Sequence, residues 1–143
     1  MIRQATIHDI PDIVKLAIES VTNNPIPVRI DKQAMRDRCR EAITSKRHFL
    51  WVNENNGKVT GVVGAMCFDG FWFERQQCSV MLYYGDNVIR LLKQLMKWVK
   101  SRPAIKMCIF EAEPEIDKRL FKVLKRMGLT RESQNFTYIR GLS

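Results

Sequence analysis

The sequence predicts one α/β (α+β) domain spanning residues 1–143, with a mixed sheet of about six or seven strands and four helices. Its 143 residues are 45% hydrophobic and 27% charged, which is typical of a single domain with a buried core. Segments with strand and helix periodicity follow in the order β-α-α-β-β-β-α-β-α-β-β. One helix separates the fourth strand from the fifth, and such a connection favours a parallel strand pair.

The first third of the chain predicts one strand and two helices. Residues 2–7 form the strand, and Thr6 with Asp9 resembles a capping box that opens the first helix. Its apolar face consists of Ile10, Ile13, Val14, Ala17 and Val21. Residues 22–27, which contain two prolines, interrupt the pattern, and Asp31 is suited to cap the second helix.

The middle of the chain predicts an antiparallel meander of three strands. "HFLWVN" and "KVTGVVGAMCF" are joined by a turn at Asn56-Gly57. A second turn at Asp69-Gly70 leads into "FWFERQQCSVMLYY", the fourth strand of the chain. The aromatic cluster "FWF" after this turn has three equally good interpretations: it lines an acceptor pocket, it covers the open end of the sheet, or it contacts a partner.

The last third alternates helix and strand. A helix after Asp86 has one apolar stripe and stops at Pro103, and residues 105–110 form a buried-type strand. Pro114 opens a further helix that ends at Gly128. Two short strands, near residues 129–132 and 135–140, complete the predicted sheet.

Composition narrows the classes of function. A net charge of +9 favours anionic partners such as a phosphorylated cofactor or nucleic acid, although no nucleic-acid motif is present. The four cysteines are widely spaced, which predicts free, mostly buried thiols and no metal site. No apolar run is long enough for a membrane span and no signal-peptide core is present, so the expected location is the cytoplasm, without membrane contact. Oligomeric state is not encoded in any motif.

Two stretches carry a resemblance to a known family. The opening "IRQATIHDIPDIVKLA" looks like the R-x-A-T-x-x-D-x-x-x-I-x-x-L start of the GCN5-related N-acetyltransferase (GNAT) superfamily, and "VLKRMGL" looks like its L-Y-E-K-x-G-F ending. With the order of elements, the resemblance spans nearly the whole chain. It implies that the strand ending near Leu82 and the strand at residues 105–110 are adjacent, parallel and splayed. It also implies transfer of an acetyl group from acetyl-CoA to a small-molecule or protein amine, without a metal.

The cofactor motif departs from the family pattern. In the family, R/Q-x-x-G-x-G/A opens the helix after strand four and holds the pyrophosphate of coenzyme A on backbone N–H groups. Here "LYYGDNVIRLL" places Tyr84, Asp86 and Val88 at the expected glycines and Tyr83 at the arginine. Asp86 is the expected N-cap, and its carboxylate opposes a bound phosphate. The resemblance assigns the cofactor to Met81, Leu82, Tyr83, Gly85, Asp86, Asn87 and Val88, with the Leu82 N–H polarising the thioester carbonyl.

The catalytic positions leave two hypotheses open. Leu124 stands where the family often has a tyrosine that protonates the departing thiolate. Glu74 is the only carboxylate on the predicted fourth strand and is the candidate general base, while Tyr83 is a candidate hydroxyl. The alternative interpretation of Glu74 is an exposed strand residue, and that of Tyr83 is a packing residue. The chain is therefore either an N-acetyltransferase with direct attack by the amine or a GNAT-fold binding or structural module that no longer binds coenzyme A.

Overall fold

The computed structural model describes residues 1–22, 29–112 and 117–141, with five strands and four helices in that part of the chain. The strands are β1 (Ile2–Gln4), β2 (His48–Asn55), β3 (Lys58–Asp69), β4 (Gln76–Gly85) and β5 (Ile105–Ile109). The helices are α1 (Ile10–Thr22), α2 (Lys32–Thr44), α3 (Val88–Lys100) and α4 (Lys118–Arg126), and a 3-10 turn (Ile7–Asp9) precedes α1.

The strands form one sheet in the order β1-β2-β3-β4-β5. The first four strands pair antiparallel, and β4 pairs with β5 in parallel through the crossover helix α3. The predicted fold class and the predicted parallel pair are both confirmed. Helices α1 and α2 cover one face of the sheet and α3 and α4 cover the other. The apolar stripe of α3, which includes Leu91, Leu92 and Leu95, is fully buried against the second face.

Local signals account for several element boundaries. The Asp9 carboxylate accepts the Thr6 N–H at 2.7 Å and forms an ion pair with Arg3, so the predicted reciprocal contact is present and leads through the 3-10 turn into α1. Asp31 caps α2 by accepting the Ala34 N–H at 3.0 Å. Asn56 and Gly57 both have positive φ, of 53° and 77°, as the two-residue turn between twisted strands requires.

The number of strands is lower than predicted. The segment after α4 contains neither expected strand among residues 129–141, and the side chains of Phe136 and Tyr138 are 90% and 78% exposed. Alternating polarity favours a strand only when a partner strand supplies the hydrogen bonds, and in the described residues β5 remains the last strand of the sheet. Gly128, at φ +105°, does end the helical segment as predicted.

Two further predictions concern segments at the limits of the described residues. The prolines of the interrupted stretch at residues 22–27 and the predicted opening of the last helix at Pro114 lie outside those residues. As for membranes, none of the helices that the structure describes has the length and apolar character needed to cross a bilayer.

Candidate functional site

The strands β4 and β5 form a fork that opens toward α3. Their parallel pairing runs from Gln76 opposite Ile105 to Ser79 opposite Ile109, and there it ends. Strand β4 continues through residues 80–85, paired only with β3 in the described structure. Among the described residues, the main chain of this stretch therefore has no strand partner on its β5 side, as the predicted splay of the two central strands requires.

A β-bulge lies directly beyond the apex of the fork. Leu82 pairs with Gly64 and Val80 pairs with Ala65, so Met81 is an extra residue in β4 without a partner in β3. The Met81 side chain is 65% exposed. Bulges redirect the main chain and side chains next to functional sites, and this one lies at Met81 and Leu82, which the resemblance assigns to the cofactor.

The connection from β4 to α3 depends on two glycines that face each other. Gly61 of β3 pairs with Gly85 of β4, and Gly85 has a positive φ of 91°. A Cβ at Gly61 would overlap the Asp86 carbonyl, and a Cβ at Gly85 would overlap the Thr60 carbonyl. The Asp86 N–H donates to the Thr60 carbonyl oxygen at 3.0 Å, and this hydrogen bond links the start of the connection to β3. The close approach that glycines allow is therefore present here, between β3 and the start of α3.

The predicted N-cap is wrong by one residue. Asn87, not Asp86, occupies the N-cap of α3, with left-handed φ and ψ of 60° and 27°. Its side chain makes no capping bond and instead donates from Nδ2 to Oδ1 of the buried Asn53 at 2.9 Å. Asn53 donates in turn to the Thr60 hydroxyl at 3.1 Å. The side chain of Asn87 therefore leaves the first N–H groups of α3 uncapped, and uncapped N–H groups at a helix start suit an anion.

Two aromatic rings span the fork on its α3 side. Tyr83 of β4 and Phe110, which follows β5, have ring centroids 4.6 Å apart at an interplanar angle of 41°. Both rings belong to the core beneath α3 and α4, whereas Tyr84 packs on the opposite face with the core beneath α1. A chain inserted between β4 and β5 would therefore contact the Tyr83 and Phe110 rings.

The structure does not bring the two predicted catalytic residues together. Glu74 lies in the exposed loop before β4, which begins at Gln76, so its placement on the fourth strand is wrong. A hydrogen bond from the Gly70 N–H to the Arg75 carbonyl closes this loop, and Arg75 takes a positive φ of 85°. Glu74 and Tyr83 are at opposite ends of β4, a separation on the order of 25 Å at the usual rise per residue.

The other expected site residues fall into a single group. Met81, Leu82, Tyr83, Gly85, Asp86, Asn87 and Val88 run continuously along the open side of the fork to the first turn of α3. Leu124 is the buried residue of α4 and offers no proton. The exposed rings of Phe71 and Trp72 lie in the loop before β4, away from the open end of the fork. Among the described residues, no group of three or more His, Cys, Asp or Glu side chains is arranged to hold a metal ion.

Sequence reasoning missed three residues that shape the site. Asn53, Gly61 and Phe110 contact the fork or the start of α3 from β2, from β3 and from the end of β5. An asparagine and a glycine inside strands that otherwise read as buried are a usable signal, because both are unfavourable there unless a special contact needs them. Phe110 gives no comparable signal, since a phenylalanine that follows an apolar strand is ordinary.

Comparison with solved structures identifies the fold. A glucosamine-6-phosphate N-acetyltransferase from Arabidopsis thaliana superposes with a TM-score of 0.72 at 16% identity, covering 98% of this chain and 97% of that one. A predicted acetyltransferase from Clostridium acetobutylicum, solved with acetyl-CoA, gives 0.73 at 15% identity over 98% and 95% of the two chains. A transcriptional regulator from Bacillus halodurans gives 0.67 at 15% identity over 96% and 99%.

These likenesses are in three dimensions. No family model matches the sequence, and no curated protein matches it either. The chain has the fold of the GCN5-related N-acetyltransferases, as the resemblance predicted. At these identities the likeness establishes the fold alone, so the activity is inferred from the site.

Proposed function

We propose that this protein transfers an acetyl group from acetyl-CoA to an amine. The fork between β4 and β5 is the observation that carries the proposal, because it ends at a helix start whose N-cap side chain is turned away. An extended thioester arm fits between two strands that have separated, and a pyrophosphate fits the free N–H groups of a helix N-terminus. The residues present therefore suit coenzyme A, except for the carboxylate of Asp86.

Each residue of the fork has a role in this proposal. The main chain of Met81, which the bulge leaves without a partner in β3, contacts the acyl group together with that of Leu82, and the Leu82 N–H polarises the acyl carbonyl. Gly85, Asp86, Asn87 and Val88 surround the pyrophosphate at the start of α3. Tyr83 contacts the arm of the cofactor, and its hydroxyl is the candidate proton donor to the departing thiolate. Glu74 is not given a role, because it lies at the other end of β4.

The reaction needs little more than orientation. The amine nitrogen attacks the thioester carbonyl carbon, the C–N bond forms and the C–S bond breaks. The nitrogen loses one proton and the departing thiolate takes one up, so the products are an amide and the free thiol of coenzyme A. No covalent enzyme intermediate is required, since the fork holds both reactants against one main-chain donor. The acceptor is an amine on a small molecule or on a protein, and the excess of basic residues favours an acceptor that carries an anionic group.

A specific observation supports a second candidate, a GNAT-fold module that does not bind coenzyme A. The Tyr83 and Phe110 rings already pack against each other across the fork, Leu124 offers no proton, and Asp86 opposes a phosphate. The name of the Bacillus halodurans structure, a transcriptional regulator, shows that this fold is not confined to proteins named acetyltransferases. In this alternative, the net charge of +9 favours an anionic macromolecule as the partner.

Calorimetric titration with acetyl-CoA at moderate salt separates the two candidates. The transferase proposal expects one site per chain, competition by free coenzyme A, and weakening by an Ala insertion after Gly85, which displaces the start of α3. An equal insertion after Asn56, in the exposed turn, is the matched control. No heat of binding at millimolar acetyl-CoA would remove the transferase proposal. Once binding is seen, release of free coenzyme A with a panel of primary amines identifies the acceptor.

A further inference from the structure

Three cysteines form a row across three neighbouring strands. Cys67 of β3 lies opposite Cys78 of β4, and Cys78 lies opposite Cys108 of β5. All three belong to the core beneath α3 and α4, so their side chains are on one face of the sheet. Cys67 and Cys78 are eleven positions apart in the sequence, and Cys78 and Cys108 are thirty positions apart. The row is therefore not visible in the sequence and arises from the pairing of the strands.

The pair formed by Cys78 and Cys108 stands at the apex of the fork. The next pair, Ser79 with Ile109, is the last one before the strands separate. Directly opposed residues on neighbouring strands have Cα atoms about 4.8 Å apart, within the range of about 4.4–6.8 Å that a disulfide spans. The separation of the two Cα atoms is therefore within reach of a disulfide.

The two thiols differ in access and in protonation. Cys108 is half-buried and lines a crevice of about 180 Å³ between β5, α3 and Gly128, whereas Cys78 is completely buried behind it. The interaction between the two neighbouring sulfurs lowers the pKa of Cys108 and, together with burial, raises the pKa of Cys78. Burial raises the pKa of Cys39 and of Cys67 instead. Thiolate character and access thus coincide at Cys108 alone among the four cysteines.

We propose that Cys108 and Cys78 are a peroxide-oxidised pair, with Cys108 as the attacking thiol and Cys78 as the resolving thiol. The Cys108 thiolate attacks one oxygen of hydrogen peroxide, the O–O bond breaks, and Cys108 becomes a sulfenic acid as hydroxide leaves and takes up a proton. The Cys78 sulfur then attacks Cys108 Sγ, so that the S–S bond forms, the S–O bond breaks and water leaves with the Cys78 proton. Two thiols and one peroxide give one disulfide and two waters.

The disulfide would hold the apex of the fork closed. It joins β4 to β5 one residue before their pairing ends, and Cys67 remains a free thiol, because Cys78 can bond to only one neighbour. This inference does not depend on the proposed function, since the oxidation chemistry uses neither acetyl-CoA nor an amine. It adds a modification site on the main-chain scaffold of the candidate site.

Peptide mapping of the wild-type chain tests the pairing directly. Trypsin separates the three cysteines into the peptides 59–75, 76–90 and 107–118, which contain Cys67, Cys78 and Cys108 respectively. After treatment with hydrogen peroxide and blocking of the remaining thiols, we expect peptide 76–90 cross-linked to peptide 107–118. The intact protein should lose the mass of two hydrogen atoms before blocking. A cross-link between peptides 59–75 and 76–90 would overturn the proposal. So would the finding that all four thiols can still be alkylated when the protein is oxidised in its native state and then unfolded.

A trapping experiment tests which thiol attacks. With dimedone present during oxidation, Cys78→Ser should carry the adduct on peptide 107–118, because the sulfenic acid at Cys108 has lost its resolving partner. Cys108→Ser should carry none on peptide 76–90, and Cys39→Ser is the control that leaves the cross-link intact. An adduct on Cys78 in the Cys108→Ser variant would reverse the assigned roles and overturn the proposal. Both variants are first compared with wild type by circular dichroism, and the wild-type mapping stands independently of their folding.

Hydrogen exchange tests the effect on the fork. If the disulfide holds the apex closed, deuterium uptake of residues 79–82 should fall on oxidation and recover after reduction. Uptake at the distant α2, residues 32–44, should not change. Equal uptake of residues 79–82 in oxidised and reduced protein would show that the cross-link does not restrain β4.

Discussion

Asn87 offers a direct test of how the start of α3 is held. It combines a left-handed conformation, φ 60°, with a hydrogen bond from its Nδ2 to Oδ1 of the buried Asn53 at 2.9 Å. Asn87→Ala removes the bond and places a Cβ-bearing residue without local hydrogen bonding in that conformation. The left-handed conformation costs about 1–2 kcal/mol for such a residue, and a lost side-chain bond costs about 0.5–1.5 kcal/mol. We therefore expect the free energy of unfolding to fall by about 2–3 kcal/mol.

Asn87→Gly is the matched control. Glycine adopts the left-handed conformation without steric cost, so this variant loses only the bond to Asn53 and a smaller backbone-entropy term. It should lose about 1 kcal/mol, and the difference between the two variants should be about 1–2 kcal/mol. Urea unfolding at 25 °C, with the slope m checked for constancy, measures both.

The result that would refute this account is equal destabilisation by alanine and glycine. Residue 87 would then not be left-handed in solution, and the turn before α3 would differ from the one described here. A loss below about 0.5 kcal/mol in both variants would show that neither the conformation nor the bond to Asn53 contributes.

Three further predictions follow from single contacts. Gly61→Ala should destabilise the chain by about 1–3 kcal/mol, because the new Cβ meets the rigid Asp86 carbonyl. Gly64→Ala should destabilise it less, because its Cβ meets the movable end of the Leu50 side chain at 3.3 Å. Equal thermal unfolding midpoints of the two variants would contradict this prediction. Asp86→Asn should tighten acetyl-CoA binding about threefold to tenfold in calorimetry, and unchanged affinity would remove Asp86 from the phosphate site. The hydrogen bond from Arg3 lowers the pKa of the Asp9 carboxyl, so the ionised carboxylate stabilises the fold above the unfolded pKa near 4, and this stabilisation is lost as pH falls through the folded pKa. Asp9→Asn should be less stable than wild type at pH 7, and its thermal unfolding midpoint should change less between pH 4 and pH 2. Parallel pH profiles of the two proteins would contradict this prediction.

The parts of the fold that the sequence predicted are those set by local chemistry. Periodicity located four helices and the central strands, Asp31 located the cap of α2, and Asn56-Gly57 located a hairpin turn. Each of these signals acts within about one turn of helix or one hairpin. The parallel pairing of β4 with β5 followed from a connection rule that needs only the order of elements.

The predictions that failed depend on contacts between distant segments. Asp86 and Asn87 are both good N-cap residues, and the choice between them is made by Gly61 and Asn53 on other strands. Glu74 continues a pattern with strand composition, but the closing bond of the loop, from Gly70 to Arg75, removes it from β4. The expected strands after α4 have suitable alternation and lack a described partner strand. Local preference cannot decide any of these cases.

At the proposed phosphate site of this chain, the backbone conformation and the charge are separable. The glycines that the family motif places before the helix are replaced, yet Gly85 and Asn87 both have positive φ, and Gly61 opposite supplies the room for close approach. The turn therefore reaches a conformation suited to a helix N-terminal anion site with a different set of residues. What the replacement adds is the negative charge of Asp86. Restoring a glycine by Asn87→Gly should leave acetyl-CoA affinity no better, while Asp86→Asn should improve it, because charge rather than backbone freedom limits binding.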